Sequence, residues 1–380
     1  MVYKLQFIVY NILLLIGNIV MKILLPYISR NGEDITSKNI TGGIEKFCQN
    51  LYNLFPDEII PIKITKEDIA DRKAKNIFLD SVNKYNPDLI LINEINRYFH
   101  DPLIKKSIPT ILIMHGPLHS EIVYLDMVKN FHTFIESGGH LYFVSEHQFN
   151  HFNKLSIRIT GRELKNIKGY IDSSYSDGTE MVSKDRLYDV ITVGRCDKNK
   201  APFLVHEKLK DTKLKTSVVT CISEYSSNND KLYMDKNSNW KDPNYTFINL
   251  DHDDIMKKVS SSGCFISTMT IESWGISAFE AFVRGVPVIL LCNKSNAHAS
   301  ECIPADKSHY RIVSSKIKQH ELEKIVNELL NFSFEKRLEI SNMTKEKHSK
   351  EKYKLKFISM FNLAVKETVN QYTKNLDSFF

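Results

Sequence analysis

Short apolar segments alternate with longer amphipathic stretches through most of this sequence. Apolar runs bounded by turn residues indicate buried strands, and apolar residues recurring every three or four positions indicate helices. Strands joined through helices pair in parallel, because a parallel pair needs a long crossover connection. The candidate strands are residues 22–27, 88–93, 110–115, 140–145, 189–193, 216–221, 246–248, 264–267 and 287–292. The pattern predicts an α/β protein with doubly wound parallel sheets.

The chain of 380 residues is long enough for two domains of roughly 150 to 180 residues. A polar stretch at residues 173–186 contains a glycine and has no apolar period, which is typical of a linker. We expect a first Rossmann-like domain over residues 21–172 and a second over residues 187–350. A ligand would lie in the cleft between them, against the carboxyl ends of the strands.

The two ends of the chain differ from these domains. Residues 1–20 are largely apolar but too short for a typical membrane-spanning helix, so they are either an anchor or a non-native start. We favour a start of the folded enzyme at Met21. Residues 320–330 and 334–380 have a helical pattern rich in lysine and glutamate. The last part, residues 351–380, is expected to form a helix that crosses back to the first domain.

Composition excludes few functions. The six cysteines are scattered, with no CxxC pair and no metal-ligand spacing with histidine, which favours a reducing compartment and no structural zinc. The net charge of +6 suits a phosphate-rich ligand, an anionic membrane surface or a nucleic acid equally well.

Residues 272–289 combine two glutamates, a helix start and a turn into an apolar strand. Glu272 and Glu280 are separated by slightly more than two helical turns, so both carboxylates would project from one helix face. The helix start at Gly275 and Ile276 would offer backbone N–H donors and the positive end of a dipole to a phosphate. The segment therefore predicts a site for a phosphorylated ligand.

The same segment resembles the E-x7-E signature of retaining GT-B glycosyltransferases of family four, the glycosyl transferases group 1, with Trp274 in place of the usual phenylalanine. The resemblance implies a GT-B fold and a nucleotide-diphosphate sugar as co-substrate, with a UDP-sugar the first choice. It places Glu272 near the donor sugar hydroxyls as a catalytic residue and assigns Glu280 to the nucleotide ribose. The alternative interpretation is a solvated helix with two unrelated glutamates.

A strand followed by a glycine and two cations occurs at Gly194, Arg195 and Lys200. Such an arrangement can bind a diphosphate and compensate the charge that develops on a leaving nucleoside diphosphate. It resembles the G-R-x4-K-G motif of the same family, although Ala201 stands where the family usually has glycine. A loop with solvated charges is the alternative.

Two features of the first domain carry weaker signals. Gly42 and Gly43 precede an apolar-periodic helix, and they resemble the family's loop for a phosphate or sugar, although a simple turn fits as well. His115 ends a buried strand, and by resemblance it contacts the donor sugar, with His119 as a neighbouring candidate. A structural histidine is the alternative.

The resemblance implies front-face transfer with retention of configuration, in which the leaving phosphate accepts the proton of the acceptor hydroxyl. Asp253 and Asp254 lie in a polar helix start rather than at the end of an early strand, where a metal-bound diphosphate would require them. We therefore expect no metal and no cofactor beyond the nucleotide sugar.

The acceptor remains open between two classes. A cell-envelope or capsular glycan is the commonest for the family, and the apolar leader would suit peripheral association with the inner face of the membrane. A hydroxymethylated pyrimidine in DNA is the alternative, because phage DNA alpha-glucosyltransferases are distantly similar and share the Gly-Arg-x4-Lys spacing; the enzyme would then work in the host cytoplasm. The cationic residues 345–356 would contact the duplex in that case. From another class, a non-catalytic nucleic-acid-binding protein leaves the motifs unexplained. No obligate protein partner is predicted, and the expected location is the cytoplasm.

Overall fold

The computed structural model describes residues 20–29, 32–37, 43–93, 108–115, 121–196, 200–221, 246–268, 274–292 and 306–377. The chain forms two compact units. The first comprises Met1–Ser173 and Glu351–Phe380, and the second comprises Ser174–Lys350.

The first unit contains a six-stranded parallel sheet in the order β2-β1-β3-β4-β5-β6. Its strands are β1 Ile23–Ser29, β2 Ile59–Thr65, β3 Leu89–Asn93, β4 Thr110–Met114, β5 His140–Phe143 and β6 Gly169–Tyr170. Its helices are α1 Gly43–Leu54, α2 Lys66–Ala70, α3 Ala74–Tyr85, α4 Glu121–Glu136 and α5 Glu146–Thr160.

The second unit contains another six-stranded parallel sheet, in the order β12-β11-β10-β7-β8-β9. Its strands are β7 Tyr188–Arg195, β8 Thr216–Cys221, β9 Thr246–Ile248, β10 Ser262–Ser267, β11 Val288–Cys292 and β12 Tyr310–Ser314. Its helices are α6 Leu204–Leu209, α7 His252–Ser260, α8 Ile276–Phe282, α9 Gln319–Leu330 and α10 Phe334–Lys347, with a short 3-10 turn at Lys307–His309. A last helix, α11, runs over Lys350–Asp377.

The last helix packs into the first unit, as the sequence predicted. The Phe357 ring lies 6.0 Å from that of Phe47 and 6.5 Å from that of Phe55, centroid to centroid. The Phe361 ring lies 5.5 Å from Phe55. These aromatic contacts place the α11 apolar face on α1, where edge-to-face ring pairs add to the area that is buried.

All nine predicted strands are strands in the structure, but β2, β6 and β12 were not predicted. The long strands β2 and β12 are sheet edges, and β2 contains Pro61, which a central strand rarely tolerates. On β12, Ile312 is 54% exposed, so this strand lacks the continuous apolar run of a buried one. The helical region predicted over residues 334–380 consists of α10 and α11, which are separated at His348 and Ser349, and Ser349 bridges to Ser176.

A buried arginine holds several segments of the second unit together. Arg337 on α10 is 1% exposed. Its Nε donates to the Gly285 carbonyl at 3.0 Å, Nη1 to the Ser183 carbonyl at 3.1 Å, and Nη2 to the carbonyls of Ser260 and Ser262 at 3.0 and 3.3 Å. Burial lowers the pKa of Arg337 to about 10, which still leaves it charged at neutral pH. The charge is therefore compensated by carbonyl dipoles rather than by a carboxylate.

Among the described residues, the longest apolar helical stretches fall short of what a membrane crossing needs. The apolar residues 1–19 lie outside the described part of the chain.

Replacing Gly285 by alanine should destabilise the second unit strongly. Gly285 has a φ of +69°, and a Cβ there would lie 2.3 Å from the Arg337 carbonyl oxygen. The left-handed conformation alone costs roughly 1 kcal/mol, and a clash with backbone raises the total to about 3 kcal/mol or more. Calorimetry on Gly285→Ala measures the effect.

Gly161→Ala is the matched control. Gly161 also has a φ of +69°, but a Cβ there would meet nothing within 4 Å. Only the conformational cost of roughly 1 kcal/mol should appear, a shift of about 2 to 4 °C. Equal losses in both variants would contradict the role of the close approach at Gly285.

Candidate functional site

The second unit has a topological switch point between β7 and β10. These strands are neighbours, and the chain winds away from them in opposite directions across the sheet. Ligands of doubly wound sheets bind at the carboxyl ends of the strands at such a point. Arg195 is the last residue of β7, and α8, which carries Glu280, follows β10. The topology therefore brings the predicted donor-binding residues to one sheet edge.

Lys200 is fixed at this edge by its backbone. The Thr268 hydroxyl, just beyond β10, donates to the Lys200 carbonyl at 2.5 Å. A Cβ on Gly194 would lie 3.4 Å from the Lys200 Cβ, so the glycine leaves room for the lysine stem. Lys200 is partly buried and Arg195 is exposed. Both cations thus belong to the carboxyl end of β7.

Ala201 adopts a backbone conformation that favours glycine. Its φ is +37°, in the left-handed region. A side chain there costs roughly 1 kcal/mol, because the Cβ approaches the following carbonyl oxygen. A glycine at this position would remove that cost.

The helix α8 begins where the sequence predicted a helix start. Gly275 is its N-cap, with φ +86° and ψ +53°, Ile276 is its first residue, and no side chain caps it. Trp274 is buried before the helix, with its ring 5.1 Å from that of Phe279. Glu280 lies on this helix. Glu272 lies outside the described residues, so the expectation that both carboxylates project from one face stays a prediction.

The Glu280 carboxylate has a partner that the sequence did not suggest. Glu280 is 17% exposed, and its Oε1 lies 3.5 Å from Nε2 of His252, the first residue of α7. The Arg284 side chain donates to the Glu280 carbonyl at 3.0 Å. Twenty-eight sequence positions separate His252 from Glu280, so no local spacing indicates the pair. A carboxylate at this edge, contacted by an imidazole, can accept hydrogen bonds from ligand hydroxyls.

The acidic residues of α7 stabilise their own helix. Asp251 is the N-cap, and its side chain accepts from the Asp254 N–H. The Asp254 carboxylate accepts from the Lys257 ammonium at 2.8 Å, and this bond lowers the pKa of Asp254. Asp253 and Asp254 thus lie in a helix start, as the sequence predicted.

In the first unit, His115 belongs to a polar chain at the carboxyl ends of β3 and β4. His115 Nε2 lies 3.2 Å from Oδ1 of Asn93, and Asn93 Nδ2 donates to Cys48 Sγ at 3.1 Å. The His115 ring packs edge-on against Phe47, with centroids 4.3 Å apart. If Nε2 carries the proton for Asn93, Nδ1 is left as a hydrogen-bond acceptor. Asn93 was not predicted as a site residue.

Burial keeps His115 uncharged. Desolvation lowers its pKa to about 3. A neutral imidazole suits recognition of a sugar hydroxyl, since it offers an acceptor without a charge to desolvate. Gly43 is the exposed first residue of α1. Gly42 and His119 lie outside the described residues.

One protein-family model matches most of the second unit. Residues 180–347 match the model of glycosyl transferases group 1. These residues include Arg195, Lys200 and Glu280. No curated protein sequence matches the chain.

Solved structures match both units. Sucrose-phosphate synthase from Thermosynechococcus elongatus is 12% identical with a TM-score of 0.70, over 90% of this chain and 98% of that one. HepE from Anabaena in complex with UDP-glucose is 13% identical with a TM-score of 0.62, over 92% and 100%. TarM, known from S. aureus, is 14% identical with a TM-score of 0.57, and the match spans 76% of this chain but 58% of TarM. The fold is therefore that of GT-B glycosyltransferases, as predicted.

The His115 imidazole should show no titration between about pH 8 and pH 5, where an ordinary histidine takes up its proton. Burial lowers its pKa to about 3, so the folded chain stays neutral there while the unfolded chain is protonated near pH 6.5. His115 therefore contributes a loss of stability as the pH falls below about 6.5. NMR of histidine-labelled protein measures the titration.

The variant His115→Gln identifies the signal and supplies the control for stability. As the pH falls from about 7 to about 5, His115→Gln should lose less stability than wild type. The variant lacks the imidazole that takes up a proton in the unfolded state but not in the folded state. A His115 signal with a midpoint near 6.5 would show that the ring is solvated.

Proposed function

We propose that this chain, whose residues 180–347 match glycosyl transferases group 1, is a retaining glycosyltransferase that moves a sugar from a UDP-sugar to an acceptor hydroxyl. The observation that carries the proposal is the placement of Arg195, Lys200 and Glu280 at the β7/β10 switch point. A ligand with phosphates and hydroxyls meets its complementary groups there.

The donor is assigned from the two kinds of chemical group that it carries, phosphates and hydroxyls. Arg195 and Lys200 provide positive charge for the diphosphate, since cations beside phosphate oxygens make strong charge-assisted hydrogen bonds. Glu280 accepts hydrogen bonds from the ribose hydroxyls, and His252 at 3.5 Å holds its carboxylate in place. A UDP-sugar is the donor we favour, because HepE, of the same fold, binds UDP-glucose.

The reaction follows from the same groups. The bond between the sugar C1 and the UDP oxygen breaks while the acceptor oxygen forms a new bond to C1 on the same face, which retains configuration. The acceptor proton passes to the leaving phosphate, and Arg195 and Lys200 stabilise the charge that develops on UDP. Neutral His115 and Glu272 are assigned to the donor sugar hydroxyls.

The positions of Asp253 and Asp254 support a reaction that needs no metal ion. Asp254 is committed to Lys257 at 2.8 Å, and both aspartates lie in a helix start. The pair would have to leave these positions to bind a metal diphosphate, whereas Arg195 and Lys200 already supply the compensating charge.

A glycan is the acceptor we favour over DNA. Cations in residues 345–356 have partners within their own units: Lys345 lies 4.0 Å from a Glu180 carboxylate oxygen, Lys356 lies 3.5 Å from Asp172, and Lys354 lies over the Phe55 ring. Lysines that are paired in this way attract a DNA duplex less strongly than unpaired lysines would. A structure of S. aureus TarM holds UDP together with alpha-GlcNAc-glycerol and fondaparinux, which illustrates glycan acceptors on this fold. Cytoplasmic work at a membrane face remains part of the proposal.

Glu280→Gln should weaken UDP binding about 10- to 100-fold, the effect of one charge-assisted hydrogen bond. Because Glu280 is assigned to the ribose, wild type should prefer UDP to 2′-deoxy-UDP, and the variant should lose this preference. Arg195→Gln and Lys200→Gln should weaken UDP but leave uridine, which has no phosphate, unchanged. Calorimetric titration measures each affinity.

Glu207→Gln and Lys210→Gln are the matched controls, since both side chains are exposed on or beside α6. They should bind UDP as wild type does. Loss of uridine and UDP binding together in Arg195→Gln would point to a folding defect. No binding of UDP, GDP or ADP by wild type would overturn the donor site.

Wild type given UDP-sugars and a panel of glycans should release UDP and form an α-linked product from an α-linked donor, and EDTA should not stop the reaction. Glu272→Gln should lower kcat by about 100-fold with little change in UDP affinity. NMR of the anomeric proton and a UDP-release assay are the measurements. A β-linked product would exclude retention, and turnover on hydroxymethylated DNA alone would favour the phage-type alternative.

A further inference from the structure

Three potential metal ligands lie close together in the second unit. They are separate in sequence from the predicted donor-binding residues. Asp306 precedes the 3-10 turn Lys307–His309, His309 ends it, and Glu339 is on α10. One ligand atom from each lies within 4.8 Å of the other two. His309 Nε2 is 3.4 Å from Glu339 Oε1 and 3.7 Å from Asp306 Oδ2.

His309 makes this group more than an acidic cluster. Its side chain is 0% exposed, and neither ring nitrogen has a hydrogen-bond partner of good geometry among the described residues. A buried polar group without such a partner costs stability and calls for an explanation. Nε2 is directed at the two carboxylates, so a cation between the three groups would satisfy it.

The two separations from His309 suit a small tetrahedral cation. Zn–N and Zn–O bonds of about 2.0 to 2.2 Å place neighbouring ligand atoms about 3.3 to 3.6 Å apart in a tetrahedron. The observed 3.4 and 3.7 Å are close to those separations. Asp306 uses Oδ1 to accept from the Ser308 N–H at 2.7 Å, which leaves Oδ2 for the cation.

Lys336 contacts the same carboxylates. Its Nζ lies 3.1 Å from Oε2 of Glu339 and 3.7 Å from Oδ2 of Asp306. The ammonium balances the carboxylates when no other cation is bound. A metal ion would have to displace it, because two cations cannot share the same oxygens without strong repulsion.

We propose that Asp306, His309 and Glu339 form a site for a divalent cation of the zinc class, with Lys336 as the cation it displaces. The fourth coordination position is open to water. A bound ion joins the Lys307–His309 turn to α10, the helix that also carries Arg337. The site stabilises the fold and takes no part in sugar transfer, so it stands independently of the proposed function.

The test uses the full chain, stripped of metal with a chelator and then titrated with Zn²⁺. Wild type should bind one more zinc ion than Glu339→Gln at the same zinc concentration. Its affinity for that ion should be at least about 10-fold higher than that of the variant. Zinc should also raise the Tm of wild type. Mg²⁺ should not compete at equal concentration, because it prefers oxygen ligands. The visible spectrum of Co²⁺ in place of zinc should show tetrahedral coordination in wild type alone.

Lys336→Gln separates a metal site from an ion-pair network. Removal of the competing ammonium should raise zinc affinity severalfold, whereas a purely structural ion pair would only lose stability. Glu335→Gln, exposed on the same helix, is the control and should bind zinc as wild type does. Equal zinc binding in wild type and Glu339→Gln, or no gain in Lys336→Gln, would overturn the proposal, and unchanged UDP binding in both keeps the result distinct from the donor site.

Discussion

The buried guanidinium of Arg337 fixes the parts of the second unit on which its site depends. Its donors reach Gly285 after α8, Ser183 before β7, and Ser260 and Ser262 on either side of the turn from α7 into β10. The same helix sends the Ser341 hydroxyl to the Val283 carbonyl at 2.6 Å. A rigid fork of five N–H donors can join segments in this way, whereas a lysine cannot. The helices that carry Glu280 and His252 are therefore held from one residue of α10.

The parallel topology of the sheets determines where a site can form. Every described strand of each sheet runs in the same direction, so all carboxyl ends lie at one edge, and the reversal of winding leaves a crevice there. Each unit has different chemistry at the carboxyl edge of its own sheet. The second has two cations and a carboxylate, and the first has a neutral imidazole linked through Asn93 to Cys48. Charge suits phosphates, whereas a neutral acceptor suits hydroxyls.

The strands of the sheet interiors could be predicted because they are buried on both faces, which makes each a continuous apolar run. The edge strands β2 and β12 could not. Among the described residues each pairs with a strand on one side only, and neither is a continuous apolar run, since β2 contains Pro61 and Lys63 and β12 contains Arg311. Arg195, Lys200 and Glu280 were predicted as site residues from local spacing. His252, Thr268 and Asn93 were not, since their partners are distant in sequence, as with the 68 positions between Thr268 and Lys200. The structure begins α8 at Ile276 with Gly275 as a left-handed N-cap, where the sequence placed the helix start.

Ala201 indicates how strongly the cation loop is constrained. A left-handed alanine costs roughly 1 kcal/mol, and such strain persists only where the surroundings determine the conformation. Those surroundings are the Thr268 hydrogen bond to Lys200 and the packing of the Lys200 stem on Gly194. A relaxed turn at Ala201 would shift the Lys200 backbone and disturb this hydrogen bond. The strain is thus the consequence of holding Lys200 at the sheet edge.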